Sequence, residues 1–210
     1  MPSNRVGWSI SSSLRELCSH RSGERVPPLQ MAARPAWCHA LVGNNVDSET
    51  VDLMPCVFHL VADLKNTRSD LLTVCQEISE TDLRRRSADG GWAVIELLAH
   101  LPDVDRYYLA QARKICDVPG HQFVYFDEEA WSRDNADAID REVSGVRLAM
   151  AAAHEDVVQW TRRLTSEELG RAGSHPRRGS ITVREMIQRI ADHDRSHIEQ
   201  VRAIRRDIGT

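Results

Sequence analysis

The sequence predicts an all-α protein built as a four-helix bundle. In four segments, apolar residues recur at alternating steps of three and four, which is the spacing of one buried helix face. Strand patterns are nearly absent, and only Phe123–Phe126 resembles a short extended piece. Four amphipathic helices of roughly 22–27 residues each suit a bundle whose seams use this spacing.

The first and third predicted helices carry uninterrupted apolar stripes. The stripe of the first consists of Val57, Leu60, Leu64, Thr67, Leu71, Val74 and Ile78. The stripe of the third consists of Val143, Val146, Met150, Ala153, Val157, Trp160 and Leu164. Each stripe buries one side of its helix against the other helices.

The second predicted helix contains a proline, and the fourth begins with a capping box. The second runs from Trp92 to Ile115, and Pro102 is expected to kink it because proline displaces a backbone hydrogen bond. The fourth runs from about Val183 to Arg206. It follows a capping box in which Thr182 caps the helix and Glu185 reaches back to Thr182.

Two connections between these helices differ in length. The first, about Ser79–Gly91, is moderate. The second, about Cys116–Ala138, is long and contains a candidate short helix at Asp127–Trp131. A long crossover is compatible with some bundle topologies, and it is where the lip of a binding site is expected.

Residues 1–50 differ from the rest of the chain. They are rich in Ser, Pro, Gly and Arg and show no lasting period, which favours a disordered or weakly structured N-terminal extension. A targeting segment is a second interpretation. In a third interpretation, the natural protein starts at Met31 or Met54. We therefore divide the chain into this extension and a helical domain over residues 51–210.

Composition excludes several classes of protein. The net charge of −4 and the 5% aromatic content argue against a nucleic-acid binder. No apolar run reaches the 18 residues of a membrane span, so no membrane partner is expected. The five cysteines show no C-x-x-C spacing, which indicates neither a disulfide framework nor a zinc ribbon and makes the cytoplasm the expected location.

Three histidines occupy positions that are predicted to face the core. The stripe of the fourth helix includes His193 and His197, whose spacing of four puts both rings on one face. His100 lies on the inward side of the second helix. One interpretation is three core histidines bonded to carbonyls or carboxylates; the other is a three-histidine site for one divalent cation. Three ligands leave a coordination position open, where water or a thiol can be activated.

Other polar residues have weaker patterns. Carboxylates that could hold the histidine rings are Glu96, Asp103, Asp192, Asp194 and Glu199. His175 precedes Pro176 and is expected to fix its loop, with the mouth of the metal site as the alternative. His154 is expected to be a bonded or half-exposed histidine. The run Arg84–Arg86 is expected to be a solvated connection, with binding of an anionic thiol as the alternative.

Three phrases of the sequence resemble the DinB-like superfamily, most closely its YfiT-type metal-dependent hydrolases. They are GWAVIELLAHL (residues 91–101), HPRRGSITVREM (175–186) and ADHDRSHIEQ (191–200), and the resemblance covers about Val51–Arg206. It implies a four-helix bundle in which His100, His193 and His197 bind a divalent metal, usually nickel or zinc. The family often has Ser or Thr where this chain has Ala93, so half of a capping box is missing at the second helix.

The resemblance also implies a range of activities. Members include S-transferases and isomerases that use a low-molecular-weight thiol, and homodimers are common among them. We therefore expect a metalloprotein that acts on a small molecule, with a metal-dependent hydrolase as the main hypothesis. The alternatives are a thiol-dependent S-transferase or isomerase, and a non-catalytic stress-associated bundle whose metal staples the core. The patterns identify no general base.

Overall fold

Helices dominate the part of the chain that the computed structural model describes, residues 48–86 and 90–209, with side chains from Val57 onward. The predicted extension, residues 1–50, lies outside this part except for residues 48–50. Within it, the helices are α1 (Ser48–Cys75), α2 (Glu80–Leu83), α3 (Val94–Asp117), α4 (Glu128–Asp134), α5 (Val143–Thr161), α6 (Ser166–Gly170) and α7 (Val183–Ile208). A 3₁₀ helix (Ala136–Asp140) and two strands, β1 (Ala172–His175) and β2 (Gly179–Thr182), complete the described elements.

The four long helices α1, α3, α5 and α7 are the four that the apolar stripes predict, and the predicted all-α class is confirmed. Helix α3 packs against both α5 and α7 and continues through Pro102. Helix α1 ends at Cys75, three residues before the predicted Ile78, which is nevertheless buried. None of the described helices has the length and apolarity that a bilayer span needs.

Helix α7 has well-formed ends. The backbone N–H of Thr182 donates to Glu185 Oε2 at 2.7 Å, and Thr182 Oγ1 accepts from the N–H of Glu185 at 3.2 Å, so the predicted capping box is confirmed. Gly209 caps the other end with a φ of 77°, the left-handed conformation that glycine adopts without a Cβ clash.

Helix α3 begins with half of such a box. Ala93 has no side-chain acceptor, but its N–H donates to Glu96 Oε2 at 2.8 Å. Arg86 donates to the other oxygen of Glu96 at 2.6 Å. The remaining carboxylate is therefore held in place at the start of the helix that carries His100.

The long crossover contains the expected short helix as α4. Asp127 caps it, since its Oδ1 accepts from the N–H of Ala130 at 2.9 Å. Trp131, in the middle of α4, is buried in the bundle. The crossover is thus anchored over the end of the bundle where α3 and α7 carry their histidines.

The expectation of almost no strand structure was wrong between residues 172 and 182. There β1 and β2 form an antiparallel hairpin, and Gln122 pairs with Ser174 at its edge. The strands have four residues each and little alternation, so no sequence period reveals them. At Gly173 a Cβ would lie 2.7 Å from the carbonyl oxygen of His121, which explains a glycine in mid-strand.

A layer of polar side chains separates two apolar clusters in the bundle. One cluster is built around Leu71, Leu98 and Met150, and the other around Leu64, Leu109 and Ile190. Between them each long helix contributes one buried polar residue. We call this set the polar layer; its members are Arg68 of α1, Asp105 of α3, His154 of α5 and Asp194 of α7.

Candidate metal centre

The structure brings His100, His193 and His197 together at one point between α3 and α7. The Nε2 atom of His197 lies 3.1 Å from the Nε2 atoms of both His100 and His193, and these two lie 3.5 Å apart. All three residues are buried, with 1%, 7% and 5% of their surface exposed for His100, His193 and His197. The two helices therefore direct three ring nitrogens at a common centre.

Hydrogen bonds on the far side of two rings define their tautomers. His100 Nδ1 donates to the carbonyl oxygen of Leu97 at 2.6 Å, and His197 Nδ1 donates to Gln200 Oε1, also at 2.6 Å. Because an oxygen acceptor requires the proton on Nδ1, the Nε2 atom of each neutral ring carries a lone pair. These lone pairs face the centre.

The same two rings are held in the uncharged form. Burial lowers the pKa of His100 well below its usual range, and the nearby His193 lowers it further. Burial also lowers the pKa of His197 well below its usual range, with His193 and His100 adding to the effect. A neutral imidazole is the form that binds a metal ion.

A divalent cation fits this arrangement. Two nitrogen ligands at the usual zinc distance stand about 3.4 Å apart in tetrahedral geometry, close to the separations of the three Nε2 atoms. Without a cation, lone pairs would face one another in a buried space, which is unfavourable. Three imidazole donors suit a borderline divalent transition metal such as zinc or nickel.

Aromatic rings cover His100 on the side away from α7. The ring centroids of Trp92 and Trp131 lie 5.0 Å and 5.6 Å from that of His100, and the two indoles contact each other at 5.5 Å. Trp131 Nε1 donates to Asp103 Oδ2 at 2.8 Å, which fixes the indole of α4. This wall shields one face of the centre from water.

Glu128 lies at the site although no sequence motif indicates it. Its Oε1 atom lies 3.8 Å from His193 Nε2, and its side chain is 23% exposed. Glu128 stands in the first turn of α4, so the crossover brings a carboxylate to the side of the centre that still reaches solvent. The sequence pointed to Glu128 only through the general expectation that the long second connection borders a binding site.

The carboxylates expected to hold the rings have other partners in the described part of the chain. Asp194 binds Arg68 in the polar layer, and Glu96 serves the start of α3. Asp103 accepts from Trp131 and Arg106, while Asp192 and Glu199 pair with Arg195 and Arg202. The rings instead use a backbone carbonyl and Gln200, an (i, i+3) neighbour of His197 that the helical spacing could have identified.

Among the remaining sequence candidates, His175 and the run Arg84–Arg86 have structural partners, whereas the expectation of a bonded or half-exposed His154 was wrong for the described part of the chain. His175 Nδ1 accepts from the N–H of Arg177 at 3.1 Å, so it fixes its own turn. His154 is buried, and neither ring nitrogen has a hydrogen-bond partner among the described residues. In the run Arg84–Arg86, Arg84 donates to the carbonyl oxygens of Ile139 and Arg141. Arg86 pairs with Glu96.

Comparisons with known proteins agree with this architecture. The family model of the DinB superfamily matches residues 63–201. A protein of Oceanobacillus iheyensis named "Putative metal-dependent hydrolase OB0413" is 24% identical over 130 residues, which cover 60% of this chain and 71% of that protein.

The fold is also similar to a solved structure, that of YfiT from Bacillus subtilis, described as a probable metal-dependent hydrolase with an unusual four-helix bundle topology. The two chains align with a TM-score of 0.65 and 20% sequence identity over 80% of this chain and 93% of the other. Since the family model spans well over half of the sequence, the chain belongs to the DinB superfamily.

Proposed function

We propose that this protein is a metal-dependent hydrolase of a small molecule, with His100, His193 and His197 holding one divalent ion, nickel or zinc. The observation that carries the proposal is the convergence of three Nε2 atoms within 3.5 Å of one another. The names of the relatives from Oceanobacillus and Bacillus support the same class of reaction.

When bound, the cation supplies a Lewis acid that makes water a nucleophile near neutral pH. Three protein ligands leave room for that water, which is the pattern of catalytic rather than structural sites. His100 and His197 keep their Nδ1 protons on Leu97 and Gln200, so their rings stay oriented towards the centre throughout.

We assign Glu128 the role of orienting the attacking water. Its Oε1 lies 3.8 Å from His193 Nε2 and could accept a hydrogen bond from a water held beside the three histidines. Trp92 and Trp131 pack against His100, so α4 contributes both a carboxylate and an aromatic ring to the surroundings of the centre.

Metal content is the first test. We expect the freshly purified full-length protein to contain about one divalent ion per chain, as in other three-histidine sites, and elemental analysis also distinguishes nickel from zinc. His193→Ala is expected to reduce the bound metal to well below one ion per chain. His121→Ala is a matched control, because His121 is bonded to Gln111 outside the centre. Full metal retention by His193→Ala contradicts the assignment.

Hydrolysis is the second test, measured on a panel of small esters and amides before and after removal of the metal with a chelator. Glu128→Gln is expected to retain the metal and to lower kcat by about 100-fold or more, the usual size of a lost acid–base group. A chelator-insensitive reaction contradicts the hydrolase proposal.

The same preparations separate the alternatives. Transfer of a low-molecular-weight thiol to a small electrophile, without ester or amide hydrolysis, identifies a thiol-dependent S-transferase. Metal-dependent stability with neither activity identifies a bundle whose metal only staples the core. The expected homodimer and cytoplasmic location stay predictions, and sedimentation of the metal-loaded protein tests the first of them.

A further inference from the structure

Arg189 lies on the same face of α7 as His193 and His197. It stands four residues before His193 and eight before His197, so its Cβ lies on the same helix face about one turn from the centre. Its neighbours Met186 and Ile190 are buried, and Arg189 itself is half-buried. A cationic side chain is thus placed in the wall of the bundle beside the triad.

One nitrogen of the Arg189 guanidinium lacks a hydrogen-bond partner in the described part of the chain. Its Nε is buried and has no hydrogen-bond partner among the described residues, and the ion pairs of that part of the chain do not include it. Two other arginines have acceptors in the protein: Arg171 donates to the carbonyl oxygen of Cys116, and the buried Arg68 binds two aspartates, although its Nη1 also lacks a partner among the described residues. A buried guanidinium N–H that lacks an acceptor is unfavourable, so the position suits an acceptor that comes from outside the chain.

Tyr108 of α3 belongs to the same neighbourhood. Burial raises its pKa to about 12, and its electrostatic neighbours include Arg189, Arg178 and Glu128. The phenol therefore keeps its proton at neutral pH and can donate a hydrogen bond. Burial lowers the pKa of His175 at the hairpin, and the charges of Arg178 and Arg189 lower it further.

Two carboxylates near this part of α7 have other contacts. Glu185 is engaged in the capping box with Thr182, and Glu128 faces His193; neither forms an ion pair with Arg189 in the described structure. A planar guanidinium binds a carboxylate through two parallel hydrogen bonds. The negative charge of Glu128 disfavours a dianion such as a phosphate monoester more than a singly charged group.

We propose that Arg189 forms a carboxylate subsite beside the metal centre, so that the substrate is a small ester or amide that carries a free carboxylate a few bonds from the reacting carbonyl. This inference rests on the proposed hydrolase function. The spacing follows from the helix, since four residues separate Arg189 from His193 by about 6 Å along the axis.

Monomethyl succinate and its uncharged analogue dimethyl succinate are suitable probes. NMR titration of the full-length protein, both zinc-loaded and metal-free, is expected to show binding of monomethyl succinate. Arg189→Gln is expected to raise its Kd at least about tenfold, the effect of losing a charge-assisted pair. Arg202→Gln is a matched control on the same helix, because Arg202 is exposed and pairs with Glu199; it is expected to leave the Kd unchanged.

Turnover adds a second readout. Arg189→Gln is expected to lower kcat/KM for monomethyl succinate at least about tenfold while leaving that for dimethyl succinate nearly unchanged. Arg189→Lys keeps the positive charge but not the planar pair of N–H donors. Its kcat/KM for monomethyl succinate is expected to lie between those of the wild type and Arg189→Gln. This variant also tests the subsite if Arg189→Gln does not fold, as judged by circular dichroism.

The outcomes distinguish this proposal from the function on which it rests. Equal binding of monomethyl succinate by the wild type and Arg189→Gln overturns the subsite, as does binding that vanishes only when zinc is removed, since the carboxylate then sits on the metal. Arg189-dependent binding without hydrolysis supports the subsite and contradicts the hydrolase proposal.

Discussion

Two histidines of the candidate metal centre depend on different neighbours for their orientation. His100 bonds a carbonyl of its own helix, and His197 bonds the amide of Gln200. These two rings are therefore oriented by unlike groups, and the Gln200 side chain can be changed without altering the backbone carbonyl that holds His100.

Gln200→Leu is expected to weaken metal affinity by about 10- to 100-fold, because His197 loses the acceptor that fixes its tautomer and ring plane. Competition with a chromophoric chelator measures the affinity. The control Gln188→Leu, on the same helix, removes an amide that bonds Asp63 and is expected to keep the affinity of the wild type. An unchanged affinity in Gln200→Leu contradicts a supporting role for this hydrogen bond.

The metal-free protein is expected to lose stability as the pH falls from about 7.5 to 5.5. Burial holds the pKa values of His100 and His197 below those of the unfolded chain, near 6.5. Below that pH the unfolded state binds more protons, so the free energy of unfolding falls by up to about 1.4 kcal/mol per pH unit for each ring.

Denaturant titrations of the metal-free protein at several pH values measure this slope. His197→Gln is expected to reduce it by about one histidine's share, whereas His59→Gln, at an exposed position, leaves it unchanged. Stability that does not vary across this pH range contradicts buried neutral rings.

At the scale of the elements, α7 combines a strong start with the largest share of the site. The capping box at Thr182 defines where the helix begins, and its register then places Arg189, His193 and His197 on one face. Helix α4 has only seven residues, but it also supplies site residues. Glu128 and Trp131 reach the centre because the crossover anchors α4 over it.

Thr182→Ala is expected to lower the free energy of unfolding by about 1 kcal/mol, the usual cost of a lost N-cap. Thr182→Ser, which keeps the hydroxyl, is the control and is expected to retain most of the stability. Chemical denaturation of both variants measures the difference. Equal stability of the alanine and serine variants contradicts the capping role of the hydroxyl.

At the scale of the whole molecule, ion pairs in the polar layer join three of the four long helices, α1, α3 and α7. Arg68 reaches Asp194 through Nε at 2.9 Å and Asp105 through Nη2 at 3.1 Å. Burial raises the pKa of Asp194 although the Arg68 charge opposes this shift. His154 Nδ1 lies 3.8 Å from Asp105 Oδ2. One guanidinium thus serves two carboxylates between the apolar clusters.

Arg68→Met is expected to lower the free energy of unfolding by about 3–5 kcal/mol, because two buried carboxylates lose their counter-ion. The triple variant Arg68→Met, Asp105→Leu and Asp194→Leu is expected to regain most of that loss, since no buried charge is left unpaired. Arg202→Met, at the exposed pair with Glu199, is expected to cost no more than about 1 kcal/mol. A triple variant that is less stable than Arg68→Met contradicts this account.

The division of the chain into an N-terminal extension and a helical domain is a further prediction at this scale. Removing residues 1–47 leaves all of α1, which begins at Ser48, and is expected to change neither the melting temperature nor the metal content. Calorimetry and elemental analysis of the shortened chain test this. A fall of several degrees in melting temperature contradicts an independent extension.

The sequence by itself determined the helical class and the three histidines, because both are local properties of periodic segments. A buried stripe repeats every three to four residues, so His193 and His197 appear on one face, and His100 on the inward side of its own helix, before any packing is known. The capping box at Thr182 is equally local.

Only the tertiary structure decided which polar groups meet. Arg68 and Asp194 are 126 positions apart, and their contact depends on how two helices pack. Glu128 reaches His193 because the crossover folds back over the bundle, and the hairpin at 172–182 is stabilised by pairing with its neighbours rather than by its own period. Such contacts follow from chain topology and packing, which no local spacing encodes.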